Sequence, residues 1–191
     1  MIRIIFCFLI VNIPAFGQHP VWHDGVLVLS NNEVLRGELS VECHHDIVLF
    51  RTSSTTQVYP AYRIARVYFY DVENNINRKF RVLTYPEIHA QLFEVVVQGT
   101  ISIVRKPHLY GVVHVEDHHA YNYFIIDDSG QTFPLSEFGP LYSQLCKKSD
   151  GMLKSLVHAK RLNLTTKAGI ISAIMAYNSI IANEHKALAL R

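Results

Sequence analysis

The chain is poor in cysteine, with three in 191 residues, and poorer in tryptophan, with one. Three cysteines cannot build the disulfide-dense scaffold of a small secreted domain, so stability must come from a hydrophobic core. No sign of charge is in excess: 18 basic residues face 16 acidic ones. Nucleic-acid binding rests on a strongly basic face, and this balance excludes the usual electrostatic case for it. Phosphate-cradling glycine loops, a Gly-x-Ser-x-Gly elbow and a His-Glu-x-x-His pair are all missing. Nucleotide use, esterase chemistry of that type and zincin proteolysis therefore lose their sequence support. Long apolar runs are also lacking. A bilayer core of about 30 Å needs about 20 apolar residues of helix. The run over residues 4–16 is too short, and the uncharged stretch 168–183 is short and rich in Ser and Asn. No transmembrane span is expected in the mature chain.

What is present begins with a leader. Residues 1–17, MIRIIFCFLIVNIPAFG, place Arg3 before the apolar run and small Ala15 and Gly17 before Gln18. A charged start, an apolar middle and a small-residue end are the pattern of a secretory signal peptide. Cleavage near Gly17-Gln18 removes Arg3 and Cys7, leaving 17 basic against 16 acidic residues. The expected destination is the periplasm or the exterior. Cys7 lies inside the apolar run and is unsuited to lipidation. Cys43 and Cys146 remain, either as a disulfide in an oxidising compartment or as two small buried thiols. Asn163-Leu164-Thr165 is a glycosylation sequon, relevant in a eukaryotic host.

With 49% hydrophobic and 18% charged residues the chain is globular and can bury a sizeable core. Short β-prone runs fill residues 26–29, 34–39, 47–51, 57–59, 64–70, 79–85, 93–97, 101–105, 121–126 and 131–133. Turn-forming residues separate them: Asn31-Asn32, the Asn-rich stretch 71–77, and Asp127-Asp128-Ser129-Gly130. Glycine and serine recur in register in residues 34–40 and 96–102, an echo read as shared bulge chemistry. The last fifty residues change period. Asp150 can cap a helix to about residue 158, and Thr165 or Thr166 a second from 167 to about 183. There Ile170, Ile171, Ile174, Met175, Asn178 and Ile181 fall at helical spacing, all but Asn178 apolar. These patterns predict an α+β chain, an antiparallel β-sandwich or partial barrel followed by a C-terminal helical segment. The expected divisions are a signal peptide over 1–17, a β-rich domain over 18–138, and a helical tail over 139–191 that docks on the sheet.

Candidate chemistry gathers in two places. Cys43-His44-His45-Asp46 and Glu116-Asp117-His118-His119 pair histidines with acids, the ligand types zinc prefers. His44, His45, Asp46, His118 and His119 are the metal candidates. Against them, neighbouring strand residues point to opposite faces, and the spacing matches no established zinc pattern. Tyrosines at alternate positions, Tyr68 with Tyr70 and Tyr121 with Tyr123, set rings on one face of a strand, where they can stack on sugars or bury a partner. Tyrosine is also an ordinary strand residue.

The order of segments resembles a broad set of secreted β-rich proteins of Bacteroidetes-type bacteria. The residues that carry the resemblance are Gly25 with 34–39, Pro60 to Val67, Phe93 to Val104, Tyr121 to Leu135, Tyr177-Asn178, and the Gly-Gln leader end. It implies a β-rich envelope or extracellular protein and brings no established activity or catalytic residues. The expected function is an exported, non-enzymatic binding or structural module of the cell envelope. Its partner would be an envelope protein or a glycan. The alternative is a metal-dependent or hydrolytic enzyme using the His/acid clusters.

Overall fold

The structure, a computed structural model, describes residues 20–53, 55–107 and 121–189. The expected leader over 1–17, with Glu116, Asp117, His118 and His119, lies outside the described residues. Ten strands follow one another: β1 His23–Leu29, β2 Val34–Glu42, β3 Ile47–Arg51, β4 Thr56–Pro60, β5 Ile64–Asp71, β6 Ile76–Leu83, β7 Gln91–Val97, β8 Ser102–Pro107, β9 Tyr121–Ile126 and β10 Thr132–Pro134. Each β-prone run of the sequence has become a strand. The turns use residues that tolerate a left-handed backbone: Asn32 at φ +67°, Asn75 at +54°, Gly130 at +86°.

All ten strands form one antiparallel sheet in the order β10-β9-β8-β7-β6-β5-β1-β2-β3-β4. Two distances show that it is rolled. β4 stands four strands from β5, about 19 Å across a flat sheet, yet only the turn Ala61–Arg63 joins them. The β2–β3 turn is bonded to β7 and β8: Asp46 accepts from Leu92 N–H at 2.7 Å and from Lys106 Nζ at 2.7 and 2.8 Å. Five strand spacings, roughly 24 Å in a flat sheet, have closed to bonding distance. Of the two expected forms, the chain takes the partial barrel. Its rolled part encloses Leu27, Leu39, Val48, Val67 and Leu92, each fully buried.

The remaining sheet is covered by helices α1 Phe138–Lys148, α2 Met152–Ala159 and α3 Lys167–Ala189. Ile103 and Ile125 of the sheet pack with Leu145, Leu153, Ile174 and Tyr177 of the helices in a second core. The helical tail thus docks on the sheet. Thr166 caps α3, its Oγ1 accepting from Gly169 N–H at 3.1 Å. Asp150 does not cap α2. It sits at φ +49°, before Gly151 at the helix entrance. Asn178 is the polar exception on the apolar face of α3. Its Oδ1 accepts from Ile101 N–H at 2.9 Å, and its Nδ2 donates to Ile101 O at 2.8 Å. Gly99 is required at this junction: a Cβ there would lie 2.4 Å from Asn178 Cγ. Glycine in β2 marks no bulge. The β1–β2 ladder runs through Gly37 without a register shift, and the irregularity on β7 falls at Val95/Val97. No described helix is long and apolar enough to cross a membrane.

Candidate functional site

Among the described residues, the first histidine cluster is spread rather than gathered. His44 and His45 are exposed on the β2–β3 turn, while the Asp46 carboxylate is occupied by Lys106 and Leu92. Among the described residues, no three His, Cys, Asp or Glu side chains converge as metal ligands. Cys43 packs against the rolled core and Cys146, on α1, against the helical one. Of the two alternatives left open, a disulfide or two separate thiols, the structure has both thiols free and packed in separate cores.

A cleft of about 380 Å³ opens on the concave side, between the end of β2 and strands β5 to β9. Its floor is an ion-pair chain. Arg78 Nε donates to Asp71 at 2.7 Å and Arg78 NH1 to Glu94 at 2.9 Å. Arg105 Nε donates to the other Glu94 oxygen at 2.7 Å, and its guanidinium lies 4.3 Å from the Tyr121 ring centre. β6, β7 and β8 bring these groups together, because Glu94 stands opposite Arg105, and Arg78 lies two residues from Glu94's other partner, Phe80. One wall stacks His23 on Phe69 at 4.4 Å and Phe69 on Phe80 at 5.7 Å.

Two groups of the cleft, Asp71 and Cys43, depart from their ordinary values. Burial alone would raise the Asp71 carboxyl. Hydrogen bonds from the Asn74 side chain, the Arg78 guanidinium and the Asn74 N–H outweigh it and hold the group down at about 2. Burial pushes the Cys43 thiol up to about 12, assisted by the Glu94 charge. Asp71 is thereby kept ionised and Cys43 protonated, the reverse of a general acid and of a thiolate nucleophile.

The four expected tyrosines are split between two faces. Tyr121 and Tyr123 lie on the concave side: Arg105 covers the first and donates to the second at 3.5 Å, while Lys167 of α3 stands 5.2 Å from the Tyr123 ring centre. Tyr68 and Tyr70 lie on the convex side, opposite Lys79 and Asn77 of β6. There they flank a groove of about 590 Å³ shared with Val26, Val96, Asn77 and Gln98. Lys79 stands 5.1 Å from the Tyr68 ring centre and donates to Gln98 Oε1. A second groove of about 360 Å³ continues from it, sharing Lys79, Val95 and Gln98 and adding Arg66, Arg81 and Ser102.

Neither Arg78–Glu94–Arg105 nor Arg66–Lys79–Arg81 was singled out from sequence. The second set carried a readable signal. Arg66 in IARVYFY and Lys79 with Arg81 in KFRVLTY flank one Asn-rich turn, so a single hairpin register places them side by side. No family model matches the chain, and neither a curated protein nor a solved structure is found to match it.

Proposed function

We propose that the chain is an exported, non-enzymatic binding module of the cell envelope, and that the convex groove is its contact surface for a glycan. The observation that carries this reading is the groove itself: two tyrosines at alternate positions of β5, beside the amide side chains of Asn77 and Gln98. Ring faces stack on the apolar faces of sugars. Amides both donate and accept, as paired hydroxyl groups require. The leader pattern and the resemblance to secreted β-rich proteins support export to the periplasm or beyond. The protonated Cys43 and ionised Asp71 favour binding over catalysis in the opposite cleft.

The test expresses the full chain in a diderm bacterial host and probes the exported product against an array of envelope and extracellular polysaccharides. The expected product starts at Gln18 and retains at least one polysaccharide. Tyr68→Ala and Tyr70→Ala should each weaken that retention about tenfold, the worth of a stacked ring, with the melting temperature little changed. Retention of the full-length chain in the cytoplasm, or no polysaccharide bound, overturns the reading.

A further inference from the structure

The second groove of the convex face carries positive charge that the fold itself does not neutralise, while the tyrosine groove beside it has the Asp24 carboxylate at its far end from Arg66 and Arg81. Register places Arg66 directly opposite Arg81 across the β5–β6 ladder. Opposed side chains on one face have Cβ atoms about 4.5–5.5 Å apart, and like charges there destabilise the pair. Lys79 stands two residues from Arg81 on the same face, about 7 Å along the strand. The second groove contains these three cations and no carboxylate. Six ion pairs occur among the described residues, and none involves Arg66, Lys79 or Arg81. The contrast with the concave side is sharp, where each of Arg78 and Arg105 has its acid.

Resting on the glycan reading, we propose that the ligand is an acidic polysaccharide. Its carboxylate or sulfate groups lie between Arg66, Lys79 and Arg81, and its sugar rings lie on Tyr68 and Tyr70. Charge complementarity selects the anion: an oxyanion between two facing guanidinium groups replaces their repulsion with charge-assisted hydrogen bonds. The continuity of the two grooves selects a chain-like ligand over a lone ion. Lys79 belongs to both, so one strand of sugar can meet rings and cations in succession. The aromatic end, with its amides, suits sugar faces better than the apolar insertion a lipid surface demands.

Isothermal titration of the exported protein against polygalacturonate, heparin, neutral dextran and phosphatidylglycerol vesicles tests this. Polygalacturonate or heparin should bind, with affinity falling as salt rises. Dextran should bind at least about tenfold more weakly. Arg66→Gln and Arg81→Gln should each lose about tenfold in affinity for the acidic polymer, one charge-assisted contact. Each should also keep or raise the melting temperature, since the facing repulsion is gone. A loss of binding with a lowered melting temperature in both variants would mark the arginines as structural and overturn the proposal. Dextran binding equal to polygalacturonate, still lost in Tyr68→Ala, overturns the charge assignment and leaves the glycan reading standing. Binding to none of the polysaccharides removes both, and binding to vesicles alone assigns the face to a lipid surface instead.

Discussion

Asp71 shows what a single buried carboxylate does in this molecule. It is 4% exposed and accepts from Asn74 N–H, Asn74 Nδ2 and Arg78 Nε. Its folded value of about 2 lies below the ordinary 3.8 of a free aspartate. A group whose value drops on folding stabilises above its unfolded value and loses that contribution as pH falls through the folded one. Asp71 should therefore contribute about 2 kcal/mol at neutral pH, lost between about pH 4 and pH 2. Urea unfolding at pH 7 and pH 3 measures this, and Asp71→Asn should be less stable at pH 7 and flatter over that range. The sequence placed Asp71 in a turn, whereas it closes strand β5, paired with Ile76 across the turn. That Arg78 would bridge it to Glu94 was not legible, because the bridge spans three strands and depends on which way each side chain faces the roll.

Helix α3 illustrates how one residue fixes an element. Asn178 satisfies both backbone groups of Ile101, and Gly99 leaves the room it needs. Removing the amide leaves two half-buried backbone groups unpaired, so Asn178→Ala should cost about 1–3 kcal/mol. Gly99→Ala drives a methyl group into the same side chain and should also destabilise. The double variant should be less damaging than the sum, because the clash vanishes with the amide. Denaturant midpoints of the four proteins close this cycle, and strict additivity would break the argument. The clamp was half legible: Asn178 stood out as the one polar member of an apolar row, but its partner lies 77 residues away. Helix α1 falls within the helical tail expected over 139–191, although no separate helix is legible there; Pro140 sits in its first turn, where its missing N–H has no partner to lose.

For the whole molecule, Asp46 governs closure. Its left-handed backbone at φ +54° aims the carboxylate at β7 and β8, and its carbonyl accepts from Ala61 N–H at 2.8 Å. The β7–β8 ladder ends at Glu94–Arg105, and the Leu92 N–H turns to Asp46 instead. Asp46→Ala would leave the buried Lys106 ammonium with Gln91 as its remaining partner. Breaking a fully buried pair this way costs about 3–5 kcal/mol, and the partly exposed Asp46 sets the expected loss at the lower end, about 3 kcal/mol. Hydrogen exchange at the Leu92 amide should accelerate, while the helical core, packed on β8 and β9, keeps its protection. Strand positions, turns and the change to helical period were all legible, because each is written in neighbouring residues. The roll was not, since it rests on contacts 46 and 60 residues apart.

The strand order also sets a timetable. Eight of the nine ladders join strands consecutive in the chain, and the ninth joins β1 to β5. Gly25 meets Phe69 in that ladder, so the first strand waits for more than forty residues before one of its two neighbours exists. A chain emerging end-first, from a ribosome or through a membrane pore, can form hairpins at once but cannot complete the rolled core until Leu92 is out. The same ladder that joins the two halves of the finished sheet keeps the growing chain threadable.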